Sequence, residues 1–359
     1  MPRKYLLAAL TALLVAVGWG VLQARDDEPG RAPKTLTIAS IAYSNKGQQR
    51  YAGQTAVIIE QGWLAQELAK RGIKLEWLPV PTAIGAPIIN EGFAAKRVDF
   101  ASYGDFPAII ANAGGIETRL VVPAGRGQNV YLVVRTGLAA NSVEDLKGKR
   151  IALHRGRPWE LPFAKLLDSK GLKLTDFKVL NINPPASIAA LAAGDVDAVV
   201  LLSDGILAEQ KGFGRIIWST RQAPPEWRMR AEVFGRKDFV DEHPELTQLV
   251  ADAYVRAADW SSRPENRERV IEIASGSENP RAVIEAEYSD PTVAWPDRFS
   301  PLFDEFLKRH YREAADYTFR EKLVRRKIDA DALFAPQFVA RALKTLNLED
   351  RWQPARVPA

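Results

Sequence analysis

The sequence predicts an α/β fold of two lobes, each built from a βαβ unit, joined by two crossing strands and followed by C-terminal helices. Three observations predict it. A strand–helix pattern occurs twice, strands such as 198–202 are apolar throughout, and two strand-containing stretches are placed to cross between the units. Alternating strands and helices imply a parallel sheet with right-handed crossovers. Continuously apolar strands indicate that helices cover both faces of the sheet.

The first 24 residues predict an export signal peptide or a membrane anchor. Arg3 and Lys4 precede an uncharged run over 5–24, and charged residues follow from Arg25. A basic start followed by an apolar run is typical of a signal peptide. A run of this length is also close to what a bilayer span requires. Both interpretations place the bulk of the chain outside the cytoplasm and predict a periplasmic location.

The repeated unit predicts two domains. Strands over 35–41 and 150–153 are each followed by a polar loop and a helix, and Val98-Asp99 matches Val196-Asp197 ahead of a later strand. Such self-similarity indicates two copies of one supersecondary unit. The stretches 118–136 and 216–234 would then cross between them. We expect a first lobe of 34–122 with 226–359 and a second lobe of 123–225.

The C-terminal part predicts helices that pack on the first lobe. We expect them over 243–261, 264–275, 300–316 and 336–346, separated in part by proline-containing turns.

Four loops at the carboxyl ends of strands predict the ligand site. They are 43–48, 103–107, 154–159 and 202–205. Ligands of open α/β sheets bind at this end, and each loop leads into a helix N-terminus whose N–H groups favour an anion. We expect Gly104 to allow close approach and Asp105 to cap the helix or orient a neighbouring donor.

Side chains in and beside these loops suit capture of a small molecule. They combine aromatic faces, neutral hydrogen-bonding groups and arginines that can bind an oxyanion. The alternative to ligand binding is a purely structural role, in which Asp105 and Asp204 serve only as helix caps and Trp227 packs in the hinge. We expect His310 at the surface. The predicted ligand-binding residues are Tyr43, Asn45, Gln48, Tyr103, Gly104, Asp105, Gly156, Arg157, Trp159, Ser203, Asp204, Trp227 and Arg228.

The composition argues against several classes of function. The formal net charge is +5 with both signs interspersed, so no nucleic-acid partner is predicted. The sequence has no cysteine and only 3 histidines, which excludes thiol chemistry and thiolate metal sites and argues against a histidine-rich one. No nucleophile motif is present. We therefore expect no catalytic residue, no metal and no cofactor.

Several segments carry a resemblance to a known family. They include Y-S-N-K-G from Tyr43, Q-G-W-L-A-Q-E-L, V-D-F-A-S-Y-G-D-F-P, S-V-E-D-L-K-G-K-R-I-A-L-H-R-G and A-A-G-D-V-D-A-V-V. Over 34–260 the chain resembles the periplasmic solute-binding proteins of nitrate, sulfonate and taurine ABC importers. The resemblance implies the type II periplasmic binding protein fold, whose lobes close on a small-molecule ligand. It also implies delivery to a membrane permease driven by a cytoplasmic ATPase; we expect a monomer.

Two loops depart from the family's pattern and leave the ligand open. The third has Arg157-Pro158-Trp159-Glu160 where small serines are common, and the fourth has Ser203-Asp204-Gly205-Ile206 where Trp-Asp-Pro-Tyr is common. Trp159 and Glu160 would suit a larger or partly cationic ligand. Two other functions stay open: a ligand-sensing ectodomain, and an enzyme on the same fold.

Overall fold

A computed structural model describes residues 32–45, 48–51, 53–275 and 279–355. The predicted signal peptide or anchor lies outside these residues. Among those described, no helix combines the length and the apolar character that crossing a membrane requires.

The first sheet has six strands in the order β2–β1–β4–β11–β5, with β3 paired to β1. The long strand β1 pairs in parallel with β3 and β4, and β11 runs antiparallel between β4 and β5. Its strands are β1 (Thr35–Asn45), β2 (Gln48–Tyr51), β3 (Lys74–Pro81), β4 (Phe100–Gly104), β5 (Thr118–Pro123) and β11 (Ala231–Arg236).

The second sheet repeats this plan with five strands in the order β10–β6–β9–β7–β8. Strand β7 pairs in parallel with β8 and β9, and β6 runs antiparallel between β9 and β10. The two parallel units and the two chain crossings between the sheets confirm the predicted fold class. Its strands are β6 (Tyr131–Arg135), β7 (Arg150–Ala152), β8 (Lys178–Leu180), β9 (Ala198–Leu201) and β10 (Gly214–Ser219).

Helices follow the parallel strands in both lobes, and the described residues after β11 are largely helical. Asp304 caps one of the later helices by accepting the N–H of Leu307 at 3.1 Å. The helices are α1 (Gly53–Gln61), α2 (Trp63–Ala69), α3 (Ala86–Ala94), α4 (Asp105–Ala113), α5 (Glu160–Ser169), α6 (Pro184–Ala193), α7 (Asp204–Gln210), α8 (Lys237–Glu242), α9 (Pro244–Ser262), α10 (Arg267–Ser275), α11 (Arg281–Tyr288), α12 (Glu305–Arg320) and α13 (Gln337–Thr345).

The repeated Val-Asp pair has the same structural role in each lobe. The Asp99 carboxylate accepts the backbone N–H of Thr37 at 2.8 Å, and the Asp197 carboxylate accepts that of Arg150 at 2.9 Å. Both acceptors lie just before a strand and both donors lie in the first strand of their unit. Each aspartate therefore ties the start of one parallel strand to its neighbour, which explains why the motif recurs.

An arginine from the antiparallel neighbour completes this arrangement in both lobes. The N–H of Arg236 donates to the Asp99 carbonyl at 2.9 Å, and that of Arg135 donates to the Asp197 carbonyl at 3.0 Å. The guanidinium groups lie 3.8 Å and 3.3 Å from the respective carboxylates. The two halves thus share an Asp–Arg contact at the end of the sheet opposite the strand-exit loops, and this contact is more buried in the first lobe than in the second.

One C-terminal helix departs from the expectation that this region packs on the first lobe. Helices α9 and α13 pack together beneath the first sheet, and α12 packs beside α4. Helix α11 instead buries Val283 in the core of the second lobe, beside Tyr131 and Ile206. The chain therefore reaches the second lobe once more after β11, while the domain boundaries themselves stay a prediction.

Candidate ligand-binding cleft

The strand-exit loops of the two sheets meet where the third loop, 154–159, touches the first lobe. The Arg157 guanidinium donates to the carbonyl of Ile84 at 2.8 Å, across the lobe boundary. Pro158 packs so closely on Gly104 that a Cβ added to the glycine would lie 2.1 Å from Pro158 Cγ. Gly104 is therefore needed because the ring of Pro158, from the second lobe, rests directly on it.

The third loop is held in shape by Glu160 at the start of α5. The buried Glu160 carboxylate accepts from Arg155 Nε at 2.7 Å and from the N–H of Gly156 at 2.6 Å. Tyr317 Oη donates to it at 3.2 Å from α12. Burial raises the pKa of Glu160, and Arg155 opposes this effect. Because these internal hydrogen bonds occupy the Glu160 carboxylate, the structure does not support the expectation that Glu160 favours a cationic ligand.

The third loop also carries two buried N–H donors. His154 Nε2 accepts from Arg157 Nε at 3.4 Å, and a guanidinium can only donate. Burial, followed by the Arg157 charge, lowers the pKa of His154 to about 4, so the neutral ring carries its proton on Nδ1. His154 Nδ1 and Trp159 Nε1 are both buried and have no acceptor among the described residues. The two rings lie 6.2 Å apart.

The second loop differs from its prediction at the N-terminus of α4. The N–H of Asp105 donates to the Arg230 carbonyl at 3.3 Å, and the N–H of Phe106 donates to Asp105 Oδ1 at 2.6 Å. Pro107 has no N–H. The N–H groups of Asp105 and Phe106 are thus hydrogen-bonded within the protein.

Asp105 itself is buried and pairs with a histidine that was expected at the surface. His310 Nε2 lies 2.5 Å from Asp105 Oδ2, and His310 is only 2 % exposed. Burial lowers the pKa of His310, although the Asp105 carboxylate opposes that shift. The surface assignment of His310 was wrong because α12 brings it against α4 from 205 positions along the chain.

Tyr103 lies in the core of the first lobe rather than in the cleft. Its ring packs 5.3 Å from that of Phe234 and 6.0 Å from that of Phe93, and the residue is 3 % exposed. Burial raises the pKa of its hydroxyl. Because alternate residues of a strand point to opposite faces, the Tyr103 side chain points away from the face on which Pro158 covers Gly104.

The first loop is a hairpin and not a direct entry into a helix. Tyr43 pairs with Arg50 between β1 and β2, and the exposed Gln48 accepts from Arg50 Nη2 at 2.8 Å. The side chain of Asn45 lies outside the described residues. Gln54, in the first turn of α1, has a buried amide with no partner in the described part of the chain. It is a polar candidate that the loop-based prediction missed.

The fourth loop begins α7 with Ser203 and Asp204, as predicted. Ser203 Oγ accepts from Asn279 Nδ2 at 3.2 Å, while Asn279 Oδ1 is buried without a partner in the described ranges. Asn279 precedes α11, so only the unforeseen packing of α11 on the second lobe places it here.

Trp227 and Arg228 belong to the crossing between the lobes. The two crossing segments pair through Gln128 and Met229, with N–H···O distances of 2.9 and 3.1 Å. Arg228 is buried and donates to Asp290 Oδ2 at 3.0 Å. Trp227 packs against the core of the second lobe. Both residues thus stabilise the hinge, and the prediction that Arg228 binds ligand differs from its position here.

Two α/β lobes whose strand-exit loops meet are the architecture of the periplasmic binding protein fold, and ligands of open α/β sheets bind at this end of the strands. A sequence profile described as NMT1/THI5 like matches residues 59–266, and the chain belongs to this family.

Relatives of known structure or description agree with this class. A crystal structure from Methylobacillus flagellatus KT, described as the periplasmic sulfonate-binding protein SsuA of a sulfonate ABC transporter, is 44% identical with a TM-score of 0.82. The match covers 90% of this chain and 98% of that one. A protein of Bacillus subtilis (strain 168), described as binding aliphatic sulfonates, is 23% identical over 95% of this chain and 97% of its own length. The predicted resemblance is confirmed.

An enzyme shares the fold. The desulfurization enzyme DszB matches with a TM-score of 0.62 at 16% identity, over 87% of this chain and 99% of that one. The more similar relatives named above are binding proteins. Within the described ranges, no three acidic or histidine side chains lie close enough together to hold a metal ion.

Proposed function

We propose that this protein is the extracytoplasmic solute-binding component of an ABC importer and binds a small compound with a sulfonate or similar oxyanion between its lobes. The two sulfonate-binding relatives support the class of ligand. The observation that carries the proposal is the pair of buried N–H donors, Trp159 Nε1 and His154 Nδ1, in the loop where the lobes meet.

These donors suit an anion's oxygens. A buried donor without an acceptor costs about 1–3 kcal/mol, so such groups in a strand-exit loop indicate a partner from outside the chain. Hydrogen bonds to a charged acceptor contribute about 1.5–3 kcal/mol each. Two of them with the nearby Arg157 charge bring micromolar binding, about 8 kcal/mol, within reach once aromatic contact is added.

The electrostatics of the loop favour an anion over a cation. The Glu160 carboxylate is enclosed by its own three donors, and Asp105 is enclosed by α4 and His310. Arg157 donates from one nitrogen to the Ile84 carbonyl, and its guanidinium lies beside His154. The acidic groups next to the loop are therefore satisfied, and among the described residues no carboxylate pairs with the Arg157 guanidinium.

Lobe closure supplies the mechanism. Contacts from the third loop to Ile84 and Gly104 form only when the lobes approach, so a ligand that bridges them stabilises the closed state by its differential contacts. The closed protein would deliver its ligand to a membrane permease coupled to a cytoplasmic ATPase. We propose that it acts as a monomer and without chemical turnover. Tyr43, Asn45, Gln48, Ser203 and Asp204 stay candidates for further contacts.

The test is calorimetric titration of the purified protein with taurine, ethanesulfonate, MOPS, nitrate and propionate. We expect sulfonates to bind with micromolar dissociation constants and propionate to bind more weakly. Trp159→Phe keeps the ring and removes the donor, and should weaken sulfonate binding about tenfold or more. Trp63→Phe is the matched control because that indole packs under Arg256, in the first lobe.

Absence of binding by every sulfonate would refute the proposal, as would equal affinities for the Trp159→Phe and Trp63→Phe variants. Mass analysis of the sulfonates after prolonged incubation tests the enzymatic alternative. Intact compounds support a binding protein, and loss of sulfite or sulfate from them would show an enzyme.

A further inference from the structure

Helix α12 of the first lobe contacts the base of the third loop in the second lobe. Tyr317 Oη donates to Glu160 at 3.2 Å, and Leu161 and Ala164 of α5 belong to the same buried cluster as Tyr311 and Tyr317. The Tyr317 ring also stacks on Phe106 at 5.6 Å. The second lobe's helix thus completes a core of the first lobe.

Charged pairs flank this contact. Lys165 Nζ lies 2.5 Å from Glu313, and Arg320 lies 3.3 Å from Asp168. The Lys165 side chain is mostly shielded from solvent, at 14% exposure. Because each pair joins α5 to α12, separation of the two helices would break both pairs.

Glu160 connects this contact to the ligand loop. The same carboxylate that accepts from Tyr317 accepts the N–H of Gly156, whose φ is +71°, and the Nε of Arg155. The turn between His154 and Trp159 is therefore fixed by a group that the other lobe holds in place.

We propose that Tyr317 and Glu160 are positioning residues, through which α12 holds the third loop in its binding conformation when the lobes close. This inference rests on the proposed function for its affinity readout. Neither residue needs to touch the ligand. The apparent affinity is the intrinsic affinity multiplied by the fraction of molecules in the binding-competent state. Weakening the Tyr317–Glu160 hydrogen bond lowers that fraction and therefore raises the apparent dissociation constant.

The test measures closure and affinity separately. The sequence has no cysteine, so Ala94→Cys and Thr175→Cys, both exposed, place one spin label in each lobe. Without any sulfonate, we expect the Tyr317→Phe variant to show a longer interlobe distance population than the parent. This arm holds even if sulfonates do not bind. Superimposable distance distributions would overturn the inference.

The affinity arm uses ethanesulfonate. We expect Tyr317→Phe and Glu160→Gln each to raise the dissociation constant about three- to tenfold, with a double variant little worse than either single one. Tyr311→Phe is the matched control, since this buried hydroxyl of α12 has no hydrogen-bond partner in the part of the chain described. Additive effects of the two variants, or an equal loss with Tyr311→Phe, would overturn the inference. Lys165→Glu, which sets like charges against Glu313, should act in the same direction without altering the buried hydroxyl.

Discussion

Gly104→Ala should block lobe closure while leaving the first lobe folded. Gly104 has φ −74° and ψ 162°, which alanine adopts without strain. The added methyl would lie 2.1 Å from Pro158 Cγ, whereas carbon atoms in contact prefer about 3.5–4.0 Å. Pro158 must therefore move away by more than an ångström, and this cost arises only when the lobes meet.

The expected size follows from overpacking. Inserting a methyl group into a filled contact costs about 1–3 kcal/mol, which corresponds to a loss of affinity of about 5- to 150-fold. Calorimetric titration with ethanesulfonate measures the loss, and small-angle scattering measures the lobe separation. The ligand-free melting temperature should stay close to that of the parent.

A second-site change checks the cause. Pro158→Gly removes the atom that the new methyl meets, so the Gly104→Ala/Pro158→Gly double variant should bind better than Gly104→Ala alone. An unchanged dissociation constant in Gly104→Ala would refute the reasoning. So would a large drop in ligand-free melting temperature, because the clash would then act on folding rather than closure.

Three further predictions concern ionisable groups. His154 should titrate near pH 4 and keep its proton on Nδ1 in nitrogen-detected NMR, and Arg157→Ala should raise its pKa; titration near 6.5 would contradict this. Asp99→Ala should lower the free energy of unfolding by about 3 kcal/mol, and Asp197→Ala by less because water reaches it; chemical denaturation gives the order. Burial raises the pKa of Glu232 to about 7, so its stabilising contribution is complete below 4.5 and lost as pH rises through 7. Relative to the Glu232→Gln variant, the free energy of unfolding of the parent should fall by up to about 3 kcal/mol between pH 5 and 8. A difference in unfolding free energy that stays constant over this range would contradict the burial argument.

The fold could be predicted because its signals are local. Val98-Asp99 and Val196-Asp197 recur because each aspartate binds a backbone N–H of the adjacent parallel strand, a role set within one unit. The four strand-exit loops likewise follow from strand order. Helix α11, Arg281–Tyr288, was missed because nothing near it in the sequence shows which lobe covers Val283.

The site was predicted at the level of loops and less well at the level of atoms. Tyr103 and Asp105 lie in a predicted loop, but partners from β11 and α12 bury them. The first N–H group of α4 seemed available because its acceptor, the Arg230 carbonyl, comes from just before β11, far away in the sequence. Gln54 and Asn279 carried no local signal. Whether a polar atom lacks a partner depends on residues that the tertiary fold brings together from distant parts of the chain.

The position of β11 has a consequence for how the chain is made. Strand β11 lies between β4 and β5, yet it is synthesised after all of β6 to β10. Residues 131–219 carry all five strands of the second sheet, so that sheet can form while the first sheet still has a slot one strand wide between β4 and β5. Closing that slot requires long-range pairing, which is slow. Until β11 pairs, β4 and β5 would expose unpaired backbone groups along two facing edges, which are templates for pairing with another chain.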